Sequence, residues 1–347
     1  MARTYLDWNA TTPLRPEARA AMMAAMDVVG NPSSVHAEGR AARALMEKAR
    51  RQVLRAIGGE GAELVFTASA TEAAALALAG RGLSCAGVEH DAVAAWCVED
   101  LVADKTGKVR VPEPARATLQ AANSETGIMQ DLPDALAMVD ATQAFGKVPF
   151  AFNWCGAEMA ILSAHKLGGP KGVGALIMKR GTDLAARVKG GGQEMGRRAG
   201  TENLIGIAGF GAAAEAAMGD LDSDKWSKTE KLRNILENAI AESVKDTIFV
   251  GNDARRLPNT AYFITPGWRG ETQVMVMDLA GFAVSAGSAC SSGKVKASKV
   301  LRAMGFGEGD AACALRVSLG PTTSEDEVLR FVNVWTAEYN KWRARAK

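Results

Sequence analysis

Apolar residues fall into two regimes along the chain. Up to about residue 218, helical spacing alternates with short, nearly continuous apolar runs. Pro16 to Val28 and Val35 to Ile57 read as helices joined through Gly30-Asn-Pro-Ser-Ser, the first with Pro near its start and the second with Arg, Met, Glu and Lys between apolar positions. Glu63 to Thr67 reads as a strand that turns directly into an alanine- and leucine-rich helix, Thr71 to Ala79. Runs at 135–139, 159–163 and 174–178 are apolar without clean alternation, as expected of a parallel sheet covered on both faces. Asn203 to Met218 reads as a further helix. Composition then shifts at Gly219-Asp-Leu-Asp-Ser-Asp-Lys225, the expected domain boundary. Beyond it lie a charged amphipathic helix (225–243), strands near 247–250 and 259–264, a helix at 271–280 and a strand at 314–319. Ser324-Glu-Asp-Glu327 is a capping box that opens a terminal helix reaching about Ala344. The first half is α/β and the second a smaller α+β unit.

Length and charge narrow the function classes. At 347 residues the chain exceeds the size at which single cores usually split, so two domains are expected. The 41 Lys+Arg against 39 Asp+Glu give no strong field for nucleic acid or an anionic membrane, which favours small-molecule or protein partners. No uninterrupted apolar stretch reaches the roughly 18 residues of a membrane span, and Met1-Ala-Arg-Thr-Tyr-Leu-Asp-Trp8 lacks the regions of a signal peptide. A soluble, cytoplasmic protein is expected. The five cysteines are widely spaced without a CxxC pair and the three histidines are scattered, so neither a disulfide framework nor a metal site is expected.

The chemistry concentrates in a few places. Ser163-Ala164-His165-Lys166 leaves an apolar run and enters Leu167-Gly-Gly-Pro-Lys-Gly-Val-Gly174. A long amine at a strand end can form a Schiff base, a hydroxyl and an imidazole beside it can hold a phosphate, and glycines let backbone approach closely. The arrangement points to pyridoxal phosphate; alone, the tetrapeptide reads as a solvated lysine. Asp140, in Met138-Val-Asp-Ala-Thr-Gln143, ends another apolar run, where its carboxylate would keep a pyridine nitrogen protonated or cap a helix. The strand-turn-helix at 63–79 leaves free backbone N–H groups at Ala70 and Thr71, an anion site. Cys290 is centred in a loop of small residues, Val284 to Lys296, that looks mobile, and Lys294 and Lys296 favour its thiolate; an incidental loop thiol is the plainer alternative. Arg316 interrupts an apolar strand and needs an anion, either a substrate carboxylate or an internal partner.

Taken in order, these segments resemble the cysteine desulfurases of the NifS/IscS type, within the class V aminotransferase group of fold type I pyridoxal phosphate enzymes. The likeness runs from Tyr5-Leu-Asp-Trp-Asn-Ala-Thr-Thr-Pro13 through Asn31-Pro-Ser-Ser34, Phe66-Thr-Ala-Ser-Ala-Thr-Glu72, Glu89-His90, Asn123-Ser-Glu-Thr-Gly127, Asp140-Ala-Thr-Gln143, Ser163-Ala-His-Lys166, Gly190 to Asn203 and Ser288-Ala-Cys-Ser-Ser292 to Arg316-Val-Ser-Leu-Gly320. The resemblance implies a large domain over 13–222 with a mostly parallel, seven-stranded-type sheet between helices. A small α+β domain over 1–12 and 223–347 would carry the Cys290 loop and Arg316. It implies pyridoxal 5′-phosphate on Lys166, Asp140 at the pyridine nitrogen, Gln143 and Asn123 at or near the phenolic oxygen, and His90 stacked on the ring, where it can also move protons. Ala70, Thr71, Ser163 and His165 would hold the phosphate, with Thr201 supplied by the second subunit of a homodimer. Arg316, with Asn123 nearby, would bind L-cysteine. Lys166 would then take the Cα proton and Cys290 would accept the sulfur as a persulfide, for delivery to a scaffold or carrier protein that builds iron-sulfur clusters or thio-cofactors. Selenocysteine lyase, another enzyme of the class V group and an inactive, partner-binding homologue are the alternatives.

The chain departs from the pattern in places. Ala68-Ser69 stands where the family has Ser-Gly, Met195 where it has Arg, and Ala199 where it has Ser. Between Gln130 and Asp140 the family fits a helix and a strand, about 17 residues at average lengths, whereas only Asp131 to Val139 intervene here. A surface helix is therefore expected to be missing, and the face it leaves bare to be covered by another protein.

Overall fold

A computed structural model describes residues 3–287 and 297–345. Ser288, Cys290, Lys294 and Lys296 lie outside the described residues.

The first sheet runs in the spatial order Glu63–Thr67, Gly174–Met178, Met159–Ser163, Met138–Asp140, Thr118–Gln120. A single parallel bridge, Ser84 to Ala117, joins it to the parallel pair Ser84–Ala86 and Val98–Leu101, which completes seven strands. Gly174–Met178 is antiparallel to both its neighbours, so the sheet is mixed rather than wholly parallel. All five residues of Met159–Ser163 and of Gly174–Met178 are buried, which is why these segments read as unbroken apolar runs. The other strands point one way, and Thr67, Gln120, Asp140 and Ser163 end together at one edge, where ligands settle in open α/β sheets.

Helices Pro16–Met26 and Ala37–Ala56 pack on Leu204–Asp222. The last of these is the one helix among the described residues long and apolar enough to cross a membrane. Gly206, Gly209 and Gly211 are packed away from solvent instead, with Phe210, Ala213, Ala214 and Ala217 in the main core. It runs through the composition shift at 219–222 and stops at Ser223, before the next helix, Lys225–Ser243. Acidic Asp220 remains helical because it is buried between Arg15 and Lys225.

A second sheet, antiparallel, orders Ser285–Ala286, Ala314–Ser318, Thr260–Ile264 and Ile248–Phe249. Together with the terminal helix Glu325–Arg345 it encloses Leu6, Phe263, Trp268, Phe331 and Trp335. Trp268, Trp335, Tyr339 and Trp342 form a continuous aromatic stack there. Tyr262, Ile264 and Ala314, from the same strands, belong instead to the core under the first sheet, so residues beyond 223 are shared between the two cores.

No helix intervenes between Gln130 and Met138. The strand expected over 135–139 starts only at Met138, because Ala135 adopts a left-handed turn (φ 61°). The shortened crossover lies directly on Gly156, where any Cβ would come within 2.8 Å of the Asp134 Cα, and Leu136 accepts a hydrogen bond from the Glu158 N–H at 2.8 Å. Leu136 and Ala137 of this crossover are buried, while Trp154 is 88% exposed.

Candidate active site

A cavity of about 390 Å³ opens at the strand ends, between the two sheets. Lys166 enters it from a 3-10 turn, Ala164–Lys166, directly after strand Met159–Ser163. Its Nζ donates to two backbone carbonyls, Asn9 at 2.8 Å and Ala10 at 2.9 Å, and has no carboxylate partner among the described residues. The N-terminal segment is strapped to this turn, with Thr12 Oγ1 donating to the Lys166 carbonyl at 2.9 Å. Burial and the Arg316 guanidinium push the Lys166 ammonium down to about 8, which leaves a nucleophilic amine within reach of neutral pH.

Asp140, last residue of its strand, lines the same cavity and accepts from the Thr142 N–H at 2.9 Å, capping its own turn. Opposite, the helix Ala70–Leu78 opens into the cavity at Ser69, Ala70 and Thr71. Ser69, the residue standing in a customary glycine position, caps this helix through Glu72 N at 3.2 Å. Its approach to the sheet depends on Gly174, whose Cβ, if present, would lie 2.4 Å from the Ser69 carbonyl carbon and 2.8 Å from the Ala70 nitrogen. N–H groups that no described residue claims, together with the helix dipole, suit this terminus to an anion.

His90 lies on the wall and accepts from the Ala92 N–H at its Nδ1, which leaves Nε2 as the N–H of the neutral ring. His165 contacts Thr11 Oγ1 through Nδ1, and burial, then Lys166, Lys171 and Lys147, push it down to about 4, so it is neutral at pH 7. Ser163 is buried on the cavity wall. Arg316 is 5% exposed; it donates to Ser124 O at 2.9 Å and to Asp7 Oδ1 at 2.8 Å, while its buried Nε has no partner among the described residues. An internal ion pair with Asp7 therefore aims it, and its Nε edge is the one that no described residue takes.

Two expected residues lie elsewhere. Asn123 is not on the cavity wall. Its amide is consumed locally, donating to Val88 O and accepting from the Glu125 and Thr126 N–H groups, so it shapes the turn rather than meeting a ligand. Thr201 is exposed and outside this chain's cavity. It follows a turn in which Glu194 and Met195 are left-handed (φ 49° and 59°), pinned by the Glu194 carboxylate on Arg50 and on the Phe66 N–H.

Other wall residues lie in segments that carry the resemblance but had been given no role. Asn9 supplies the carbonyl shared by Lys166 and Gln143. Glu89 accepts from the Gln120 N–H, its other oxygen has no partner among the described residues, and burial plus the Asp140 charge hold its carboxyl well above the usual range. Glu125 accepts from Tyr262 and Ser298, and burial pushes it up to about 7.

Fold and cavity together define an α/β enzyme with a buried lysine, a carboxylate, a helix N-terminus and an arginine on one cavity wall. The chain belongs to the class-V aminotransferase family, whose model matches residues 4–94 and 98–331. It is 39% identical to a cysteine desulfurase of Cereibacter sphaeroides, covering 99% of this chain and 97% of that protein. It is 34% identical to the cysteine desulfurase NifS of Azotobacter vinelandii, over 96% of this chain and 91% of the relative. Among solved structures, a NifS-like protein from Rickettsia africae superposes with a TM-score of 0.89 at 29% identity, covering 97% and 99% of the two chains.

Proposed function

We propose that this chain is a cysteine desulfurase that binds pyridoxal 5′-phosphate on Lys166, converts L-cysteine to L-alanine and passes the sulfur to iron-sulfur cluster or thio-cofactor assembly. The observation that carries the reading is one cavity walled by Lys166, Asp140, the Ala70–Leu78 N-terminus and Arg316. The residues fit the cofactor. Lys166 has no ionic partner among the described residues, Asp140 would face a pyridine nitrogen, and the Ala70 and Thr71 N–H groups, which no described residue claims, would with Ser163 and His165 take a phosphate. Once bound, the cofactor supplies an electron sink for charge developing at the substrate Cα.

The chain's own groups supply the rest. Arg316 grips the substrate carboxylate through its open edge, held in place by Asp7 and Ser124. Lys166, with an ionisation near neutrality, moves the Cα proton. His90 would cover the ring of the bound cofactor, and Gln143 would meet its phenolic oxygen. The Cys290 thiolate attacks the substrate sulfur and forms an S–S bond as the carbon-sulfur bond breaks, leaving a Cys290 persulfide and, after proton return to carbon, alanine. A second copy of the chain would bring its Thr201 to the phosphate. Exposed Met23, Met26, Val29 and Val35, on and beside the first helix, supply an apolar face for that copy. A cytoplasmic setting, where acceptor proteins are available, fits this role.

The test is stoichiometric: L-cysteine should give alanine and, with a thiol reductant, sulfide in equal amounts, only with pyridoxal phosphate and not in Lys166→Ala. Alanine formation unaffected by that substitution would refute the reading.

A further inference from the structure

Lys147 is a buried lysine that the chemistry above does not use. It is 3% exposed, has no carboxylate partner among the described residues, and donates instead to two amide oxygens, Gln143 Oε1 at 2.5 Å and Asn9 Oδ1 at 3.0 Å. An amine buried without a counter-ion is costly, and desolvation drives its ionisation well below the usual lysine range. Such a group persists where its hydrogen bonds have a specific use.

That use is visible in Gln143. The amide bridges Lys147 and the Asn9 backbone, with Oε1 toward the amine and Nε2 donating to Asn9 O at 3.0 Å, while the residue lines the cavity. A flipped amide would set its oxygen against the Asn9 carbonyl oxygen and its NH2 against an amine already committed to Asn9 Oδ1. The flip is therefore fixed. The carbonyl faces Lys147, and the second N–H, which no other described residue accepts, is left to the cavity. We propose that Lys147 is a positioning residue that locks the Gln143 amide in its donor orientation, so that the cavity offers an N–H to the phenolic oxygen of the bound cofactor.

The inference rests on the pyridoxal phosphate reading and is tested on the loaded protein. A donor to that oxygen stabilises its anionic form and lowers the proton affinity of the chromophore, so losing the donor raises the pH midpoint of the visible band. Lys147→Met, similar in length but without a donor, should raise the midpoint by about one pH unit. Gln143→Leu should do the same, and the double variant should match Gln143→Leu alone, because Lys147 acts through the amide. Lys147→Gln keeps a side-chain N–H donor, is the milder change should Lys147→Met not fold, and should stay close to the parental midpoint.

An unmoved midpoint in Lys147→Met with reduced thermal stability would reduce Lys147 to a structural role and overturn the proposal. Additive shifts in the double variant would overturn it in favour of a direct effect of charge. A parent protein that takes up no pyridoxal phosphate would instead remove the functional reading beneath it.

Discussion

Lys166 should react with aldehydes far faster at neutral pH than an ordinary lysine. Its ammonium, normally near 10.5, is held at about 8 by burial and by Arg316. At pH 7 about one-tenth of the side chain is then the free amine, against about 0.03% for an unperturbed lysine, a gain of roughly 300-fold in the nucleophilic form. Mixing the cofactor-free protein with pyridoxal phosphate in a stopped-flow spectrometer from pH 7 to 10 should show the second-order rate rising with pH and levelling near 8. Arg316→Gln removes one of the two depressing causes and should move that plateau to higher pH. A wild-type rate still climbing steeply past pH 9 would show that the cavity does not perturb the lysine, and the geometric account of its reactivity would fall with it.

Three further expectations follow from the same wall. Arg316→Ala should raise the KM for L-cysteine about 30-fold or more, the cost of about 2 kcal/mol for one charge-assisted pair, and weaken cofactor binding much less; equal losses of both would mark a purely structural ion pair. Glu125, raised from 4.5 to about 7, binds its proton more tightly folded than unfolded, so it withdraws stability as pH climbs through that window, by about 3 kcal/mol in all. Glu125→Gln removes this dependence, and its stability relative to the parent should grow between pH 4.5 and 7 in urea unfolding; a flat difference would refute the shift. Gly174→Ala, with backbone 2.4–2.8 Å from the new methyl, should cost about 1–3 kcal/mol of stability and weaken cofactor binding together; normal cofactor affinity would separate the helix terminus from the phosphate.

What the sequence revealed, and what it hid, divides along the reach of the contacts involved. Lys166, Asp140 and Arg316 were legible because a charge ending or interrupting an apolar run needs an explanation. Ala70 and Thr71 were legible because a strand turning straight into a helix exposes N–H groups wherever it folds. Asn123 misled: its amide looks free in the sequence, yet three neighbouring backbone groups claim it. Strands Ser84–Ala86 and Thr118–Gln120 are three residues each, too short for a periodic signal. Gly174–Met178 gives the same apolar run whichever way it points, so its antiparallel pairing was invisible. Asn9 and Lys147 were hidden because an amide and a lysine are ordinarily solvated, and contacts 138 residues apart bury these two.

Asn9 is the point at which the N-terminal strap, both lysines and the second sheet meet, and its backbone and side chain do different work. Its carbonyl oxygen takes Lys166 and Gln143, while its side chain takes Lys147 and Asn259 and donates to Thr260 Oγ1 at 2.9 Å. Asn9→Ala deletes only the second set. Buried donors on Lys147 and Asn259 lose a shared acceptor, which at about 1–3 kcal/mol for each group left unsatisfied should lower thermal stability by several degrees. The carbonyl survives, so the pH plateau for the reaction of Lys166 with pyridoxal phosphate should stay near 8. A variant of normal stability would show that the side-chain network is slack. A plateau that moved to the ordinary lysine range would show that the side chain, not the backbone, holds Lys166 in place, and the strap would then owe its register to the second sheet rather than to the turn after the strand.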